Sequence, residues 1–210
     1  MRGILTNRTV SALYADFATA QQVAEDLVSM GFQPDTISIV ANDVSGQYAS
    51  TFNAQSAQED VSMGEGARFG AVVGGLIGLG ALAIPGIGPV IAAGPLVAAL
   101  VGAGVGAVTG GLIAGLVDMG IPEEEASYYA EGVRRGGVLV LVNTTEDWVE
   151  RVVEATEAYN PINVEHMTTA WRSGGWTGFD TSGTPIAESQ LAAEREAYRR
   201  FDDETQGTRV

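Results

Sequence analysis

Hydrophobic positions along the first fifty residues change period twice, and each change marks an element. "TVSALYA" (9–15) is rich in β-formers and predicts a strand. In "DFATAQQVAEDLVSMGF" (16–32) the apolar positions Phe17, Ala20, Val23 or Ala24, Leu27 and Met30 share one helical stripe, and Gly31 supplies a stop. "DTISIVAND" (35–43) returns to period two through Ile37, Ile39 and Ala41. Residues 42–60 are small and polar and read as a linker. The order then recurs. "GGVLVLVNT" (136–144) is the unbroken apolar run of a central strand, "TEDWVERVVEATEAY" (145–159) is a helix turning Trp148, Val152, Ala155 and Tyr159 inward, and "PINVEHM" (161–167) is a closing strand carrying Ile162 and Val164. Two βαβ units predict an α+β fold, a ferredoxin-like βαββαβ domain.

Between the two units the periodicity vanishes. Phe69 to Val117 is a run of 49 residues without a charge, 14 of them Gly. A helical Gly costs up to about 1 kcal/mol relative to Ala, so close packing must offset the composition. Gly66, Gly70, Gly74 and Gly78 recur every four residues, as do Gly102, Gly106 and Gly110. Each set predicts a groove along one helix face that lets a second backbone approach. Pro85, Pro89 and Pro95 interrupt the run between them. The segment therefore predicts a glycine-zipper helical hairpin inserted into the ferredoxin-like domain. Its arms would be Phe69–Ile84, 16 residues, and Leu96–Val117, 22 residues, against about 20 for a full membrane span. A membrane hairpin, either re-entrant or tightly tilted or made of two full spans, is the first expectation. The core of a soluble homo-oligomer and an intramolecular core are the alternatives. The expected organisation is 1–63 for the first half and linker, 64–120 for the hairpin, 121–168 for a helix and the second half, and 169–210 for an extended tail with aromatics and a charged, helix-prone run.

Composition narrows the function classes. The formal net charge is −15, from 26 acidic and 11 basic residues, and every basic residue is Arg. Such a surface repels phosphate backbones, so no nucleic-acid partner is expected. Without Cys, disulfides, thiolate metal sites and a cysteine nucleophile are excluded. Polar Thr6, Asn7 and Arg8 break the N-terminal apolar run, which predicts a chain kept inside the cell.

Candidate chemistry is sparse. "GAGVGA" (102–107) has the spacing of a dinucleotide fingerprint but no preceding strand, and reads as an accident of the zipper. His166 is the single histidine, expected on the closing strand. "IPEEEASYYAEGVRRGG" (121–137) predicts a helix over about 122–134, with Pro122 at its start, Glu123, Glu124 and Glu125 at the positive end of its dipole and Arg134 and Arg135 at the other. Tyr128, Tyr129, Arg134 and Arg135 form a possible docking surface or pack on the sheet. Trp171 and Trp176 suit either burial or a membrane interface. No nucleophile, base and orienter set is present, so a non-enzymatic protein without cofactor or metal is expected.

The βαβ start with "FATAQQVAEDLVSMGFQPDTISIV", the glycine-rich middle, and "MGIPEEEASYYAEGVRRGGVLVLV" resemble bacterial general stress proteins of the YflT type and their low-temperature-induced relatives. The resemblance covers roughly residues 9–167. It implies a stress-response role, often with membrane segments, and supplies no catalytic residues. Together these readings predict a stress-response protein on the cytoplasmic face of the cell membrane, with itself and the bilayer as partners. A soluble cytoplasmic scaffold and a small apolar ligand-binding module are the rival expectations.

Overall fold

The computed structural model describes residues 7–46, 48, 80–102 and 111–206. Its frame begins with β1 (Asn7–Tyr14), α1 (Phe17–Ser29) and β2 (Ile37–Asn42). Asp16 caps α1, its side chain accepting the Thr19 N–H at 2.9 Å. Ala20, Val23, Ala24 and Leu27 are the buried stripe. The apolar run of the second unit is β5 (Val138–Thr145), which lies between β1 and β2 and runs antiparallel to both. Val140 pairs with Ala12 on one side and Ile39 on the other.

The middle of the chain departs from the expected helical hairpin. Residues Gly80–Ile84 form β3 and Gly88–Ala93 form β4, an antiparallel β-hairpin that extends the sheet beyond β2 in the order β1-β5-β2-β4-β3. Turn chemistry decides this. Pro85 opens the reversal, and Gly86 adopts φ +79, a left-handed backbone that L side chains resist. Pro89, which has no N–H to give, still offers its carbonyl to Asp43 N at 2.9 Å. Because β4 hydrogen-bonds along β2, from Ile39↔Ala93 to Asn42↔Val90, residues 88–93 belong to the main sheet.

The second arm is also corrected. It contains two helices, α2 (Pro95–Gly102) and α3 (Gly111–Asp118). In one continuous helix residues 96 and 115 would stand about 28 Å apart. Instead, a Cβ placed on Gly115 would lie 3.0 Å from the Leu96 side chain and 3.4 Å from that of Leu100. Entry to α2 is fixed by Gly94, where a Cβ would collide with the Ile37 carbonyl, and by buried Ser38, whose Oγ accepts Leu96 N–H at 3.1 Å.

Four more helices follow: α4 (Glu123–Arg134), α5 (Glu146–Glu157), α6 (Val164–Ser173) and α7 (Glu188–Gln206). The first of two further corrections is that "PINVEHM" enters α6 and is not a strand. Asn163 caps the helix by accepting His166 N–H at 2.9 Å, which places His166 on an exposed helical turn. The second concerns Trp148, which is 39% exposed against the edge of Phe32, while Val152 and Thr156 turn inward.

Helices cover both faces of the sheet, and β5 shows why an unbroken apolar run was needed. Val138, Val140 and Val142 join Leu27, Val23 and Val152 on the face covered by α1 and α5. Leu139 and Leu141 join Leu96, Leu112, Leu116 and Val133 on the face covered by α2, α3 and α4. Met167, Trp171 and Tyr198 form a smaller cluster that ties α6 to α7.

Candidate functional site

Helix α4 starts after Pro122 with three glutamates in its first turn and ends with Arg134, as the helix dipole favours. Gly132 brings it close to β1: a Cβ there would lie 2.5 Å from the Leu13 side chain. Beyond the helix, Gly136 takes φ +93 and donates to the Val133 carbonyl at 3.0 Å, so the chain turns directly into β5.

At this end sits a buried charge cluster. The Glu131 side chain is 1% exposed and accepts from both neighbouring arginines: Arg134 Nε and Nη2, each at 2.9 Å, and Arg135 Nε at 2.6 Å. Arg135 reaches onward to Glu194 of α7 at 3.0 Å and lies over the Trp171 ring, 5.2 Å from its centroid. Burial pulls the Arg135 pKa down, but Glu131 and Glu194 outweigh that effect and leave it raised. Removing either arginine leaves Glu131 paired with the other, whereas removing Glu131 takes a carboxylate from both.

The tyrosines take different surroundings. Tyr129 is buried; Ser11 Oγ donates to its phenol oxygen at 2.8 Å, and burial pushes its pKa up to about 12. Tyr128 is nearer the surface, donates to Glu124, and accepts from Arg172 of α6 at 2.8 Å. The Tyr128 hydrogen bond, helped by Arg172, holds the Glu124 carboxyl below the usual range. A groove of about 810 Å³ runs beside both tyrosines between α4, β1 and the start of α6, with Glu125, Glu157 and Glu165 on its walls. Of the four docking residues proposed from sequence, Tyr128, Tyr129 and Arg134 thus lie along one helix and Arg135 is its C-cap. Tyr128 and Arg135 meet the chain's own C-terminal part through Trp176, at 6.0 Å between ring centroids, and Glu194.

Four of the residues named for the expected hairpin are described. Pro85 is in the β3–β4 turn, Pro89 in β4, Pro95 opens α2 and Gly102 ends it. Gly66, Gly70, Gly74, Gly78, Gly106 and Gly110 lie outside the described residues. Sequence reasoning missed Glu131, Glu194 and Tyr198. Their signal was weak, since an acid four residues before an arginine on a helix is common at surfaces. Among the described residues no three His, Asp or Glu side chains are grouped to hold a metal, and no helix is long and apolar enough to cross a membrane. Comparison with known protein families, curated proteins and solved structures finds no match. The resemblance to general stress proteins therefore stands on the quoted motifs alone.

Proposed function

We propose that this is a non-enzymatic bacterial stress-response protein that associates with the cytoplasmic face of the cell membrane, and with copies of itself, through its uncharged middle segment. The observation that carries this reading is the surface of the α2–α3 pair. Its two helices hold a single charge, Asp118, yet Val97, Leu100 and Ile113 are only partly buried and Val117 is 41% exposed. A monomer gains little by leaving such side chains in water, whereas a bilayer interface or a second copy buries them. Each helix has eight residues, about 12 Å, against a hydrocarbon core of about 30 Å, which favours association over spanning for this part. The frame beneath is read as a variant of the ferredoxin-like arrangement. The β1-β5-β2 order supports this, and α6 replaces the last strand.

Flotation of the purified chain with uncharged phosphatidylcholine vesicles tests the reading. Recovery with the vesicles after an alkaline wash, lost on Val97→Glu with Val117→Glu, is the expected result. A monomer that stays in the aqueous fraction in every condition would contradict it. A stable, vesicle-independent assembly would favour the soluble scaffold. A small apolar ligand is a second reading, supported by a cleft of about 430 Å³ in which Phe32 and half-exposed Trp148 face Thr36, Asn143 and Thr145.

A further inference from the structure

The C-terminal part crosses the molecule as a continuous band. Trp176 packs on Tyr128 and, at 5.8 Å between centroids, on Trp171. Phe179 N–H donates to Ser127 Oγ at 3.3 Å. The chain then passes the β3–β4 turn so closely that a Cβ on Gly86 would lie 2.5 Å from the Asp180 carbonyl, and one on Gly88 would lie 3.0 Å from Pro185. It returns as α7, where Leu191 and Tyr198 are buried, Glu194 meets Arg135, Arg195 Nε donates to the Gly136 carbonyl at 3.1 Å, and Tyr198 donates to that of Gly132 at 3.3 Å.

This seat differs from the main core in two respects. Its anchoring ion pair is partly open to solvent, with Arg135 and Glu194 side chains 19% and 30% exposed, and Arg135 keeps Glu131 as a second carboxylate when Glu194 lets go. The indole N–H groups of Trp171 and Trp176 are buried with no acceptor among the described residues, a desolvation cost that docking leaves unrelieved and undocking removes. The turn it covers belongs to the uncharged segment, and Phe179 packs against the cluster that contains Ile84 and Ile87.

From this we infer that residues 174–206 form a releasable strap: the strap leaves the folded sheet as one unit when the Arg135–Glu194 pair is weakened, and its docked form restrains association through the β3–β4 turn. The second half of this inference rests on the proposed function; the first does not.

The test uses the full chain carrying Trp148→Phe, so that fluorescence reports Trp171 and Trp176, with acrylamide as quencher. Adding Glu194→Gln is expected to increase quenching several-fold while far-ultraviolet circular dichroism keeps the sheet signal. Leu191→Ala, which loosens α7 without touching charge, is expected to do the same. Vesicle recovery or assembly size is expected to rise in parallel. Quenching that stays low until the whole sheet melts would overturn the strap, whether or not the chain binds vesicles. Quenching that rises while closed and open forms associate equally would overturn the restraint and leave the association reading standing. Opening without association in any form would remove both the restraint and the proposed function.

Discussion

The two faces of the sheet are equally dry and are built differently. On one, α1 and α5 bury a stripe and turn charged residues outward, the ordinary amphipathic solution. On the other, α2 and α3 carry apolar residues all round, and small side chains such as Gly115 let them pack at close range. The comparison separates two properties that a hydropathy reading merges. A stretch without charge can be a membrane segment, or one layer of a core whose outer surface awaits a cover. Here β4 and α2 are wired to β2 by backbone pairing and by the Ser38 hydroxyl, so residues 88–102 are structural first.

The largest expected effect follows from that wiring. Deleting 80–118 should leave no cooperatively folded protein, because it removes two strands and the cover over Leu139 and Leu141. A soluble deletion variant with a sharp melting transition would break the comparison by showing that the frame stands alone. Next in size, Leu116→Ala and Leu27→Ala should each lower stability by about 2–5 kcal/mol, since both side chains are fully buried on opposite faces. Denaturant melts of the two variants sharpen the point. A small loss at Leu116 beside a full loss at Leu27 would mean that the glycine-rich face is loosely packed.

A smaller effect concerns alkaline pH. Tyr129, under α4, is held protonated by burial up to about pH 12, against an ordinary value of about 10. A raised folded-state value means that the stabilisation is fully present below about pH 10 and is lost as pH climbs through about 12, a span worth roughly 2–3 kcal/mol. Melting temperatures followed over this window should fall less steeply in Tyr129→Phe than in the parent chain. Identical slopes would show that Tyr129 is not buried in solution.

How much of this was legible follows the same division. The stripe of α1 announces itself because it presents distinct sides to core and solvent, and the apolar runs of β2 and β5, buried on both faces, announce themselves through the turn residues that bound them. Between Gly80 and Asp118 there is no polar side to report a period, so strand and helix look alike and only turn residues discriminate. Pro85, Gly86 and Gly88 carried that signal. Pro85 reads from sequence as a break between helices, whereas with Gly86 and Gly88 it suits a tight β-turn with positive φ at the glycines. The strand expected over residues 161–167 failed for a local reason, since Asn163 is a better helix cap than a strand residue. Of the candidate docking residues, Tyr128, Tyr129 and Arg134 share one helix and Arg135 caps it, so a local pattern suffices to name them. Glu194 and Tyr198 come from more than fifty residues away, and no spacing in the sequence announces a contact of that range.

Native-state hydrogen exchange tests the central claim most directly, by comparing the amides of Val90–Ala93 in β4 with those of Leu139–Val142 in β5. If the uncharged segment is a layer of the fold, both sets should exchange through global unfolding, with the same free energy and the same response to low denaturant. Exchange of the β4 amides orders of magnitude faster, and insensitive to denaturant, would contradict the account and return the segment to the status of an appendage.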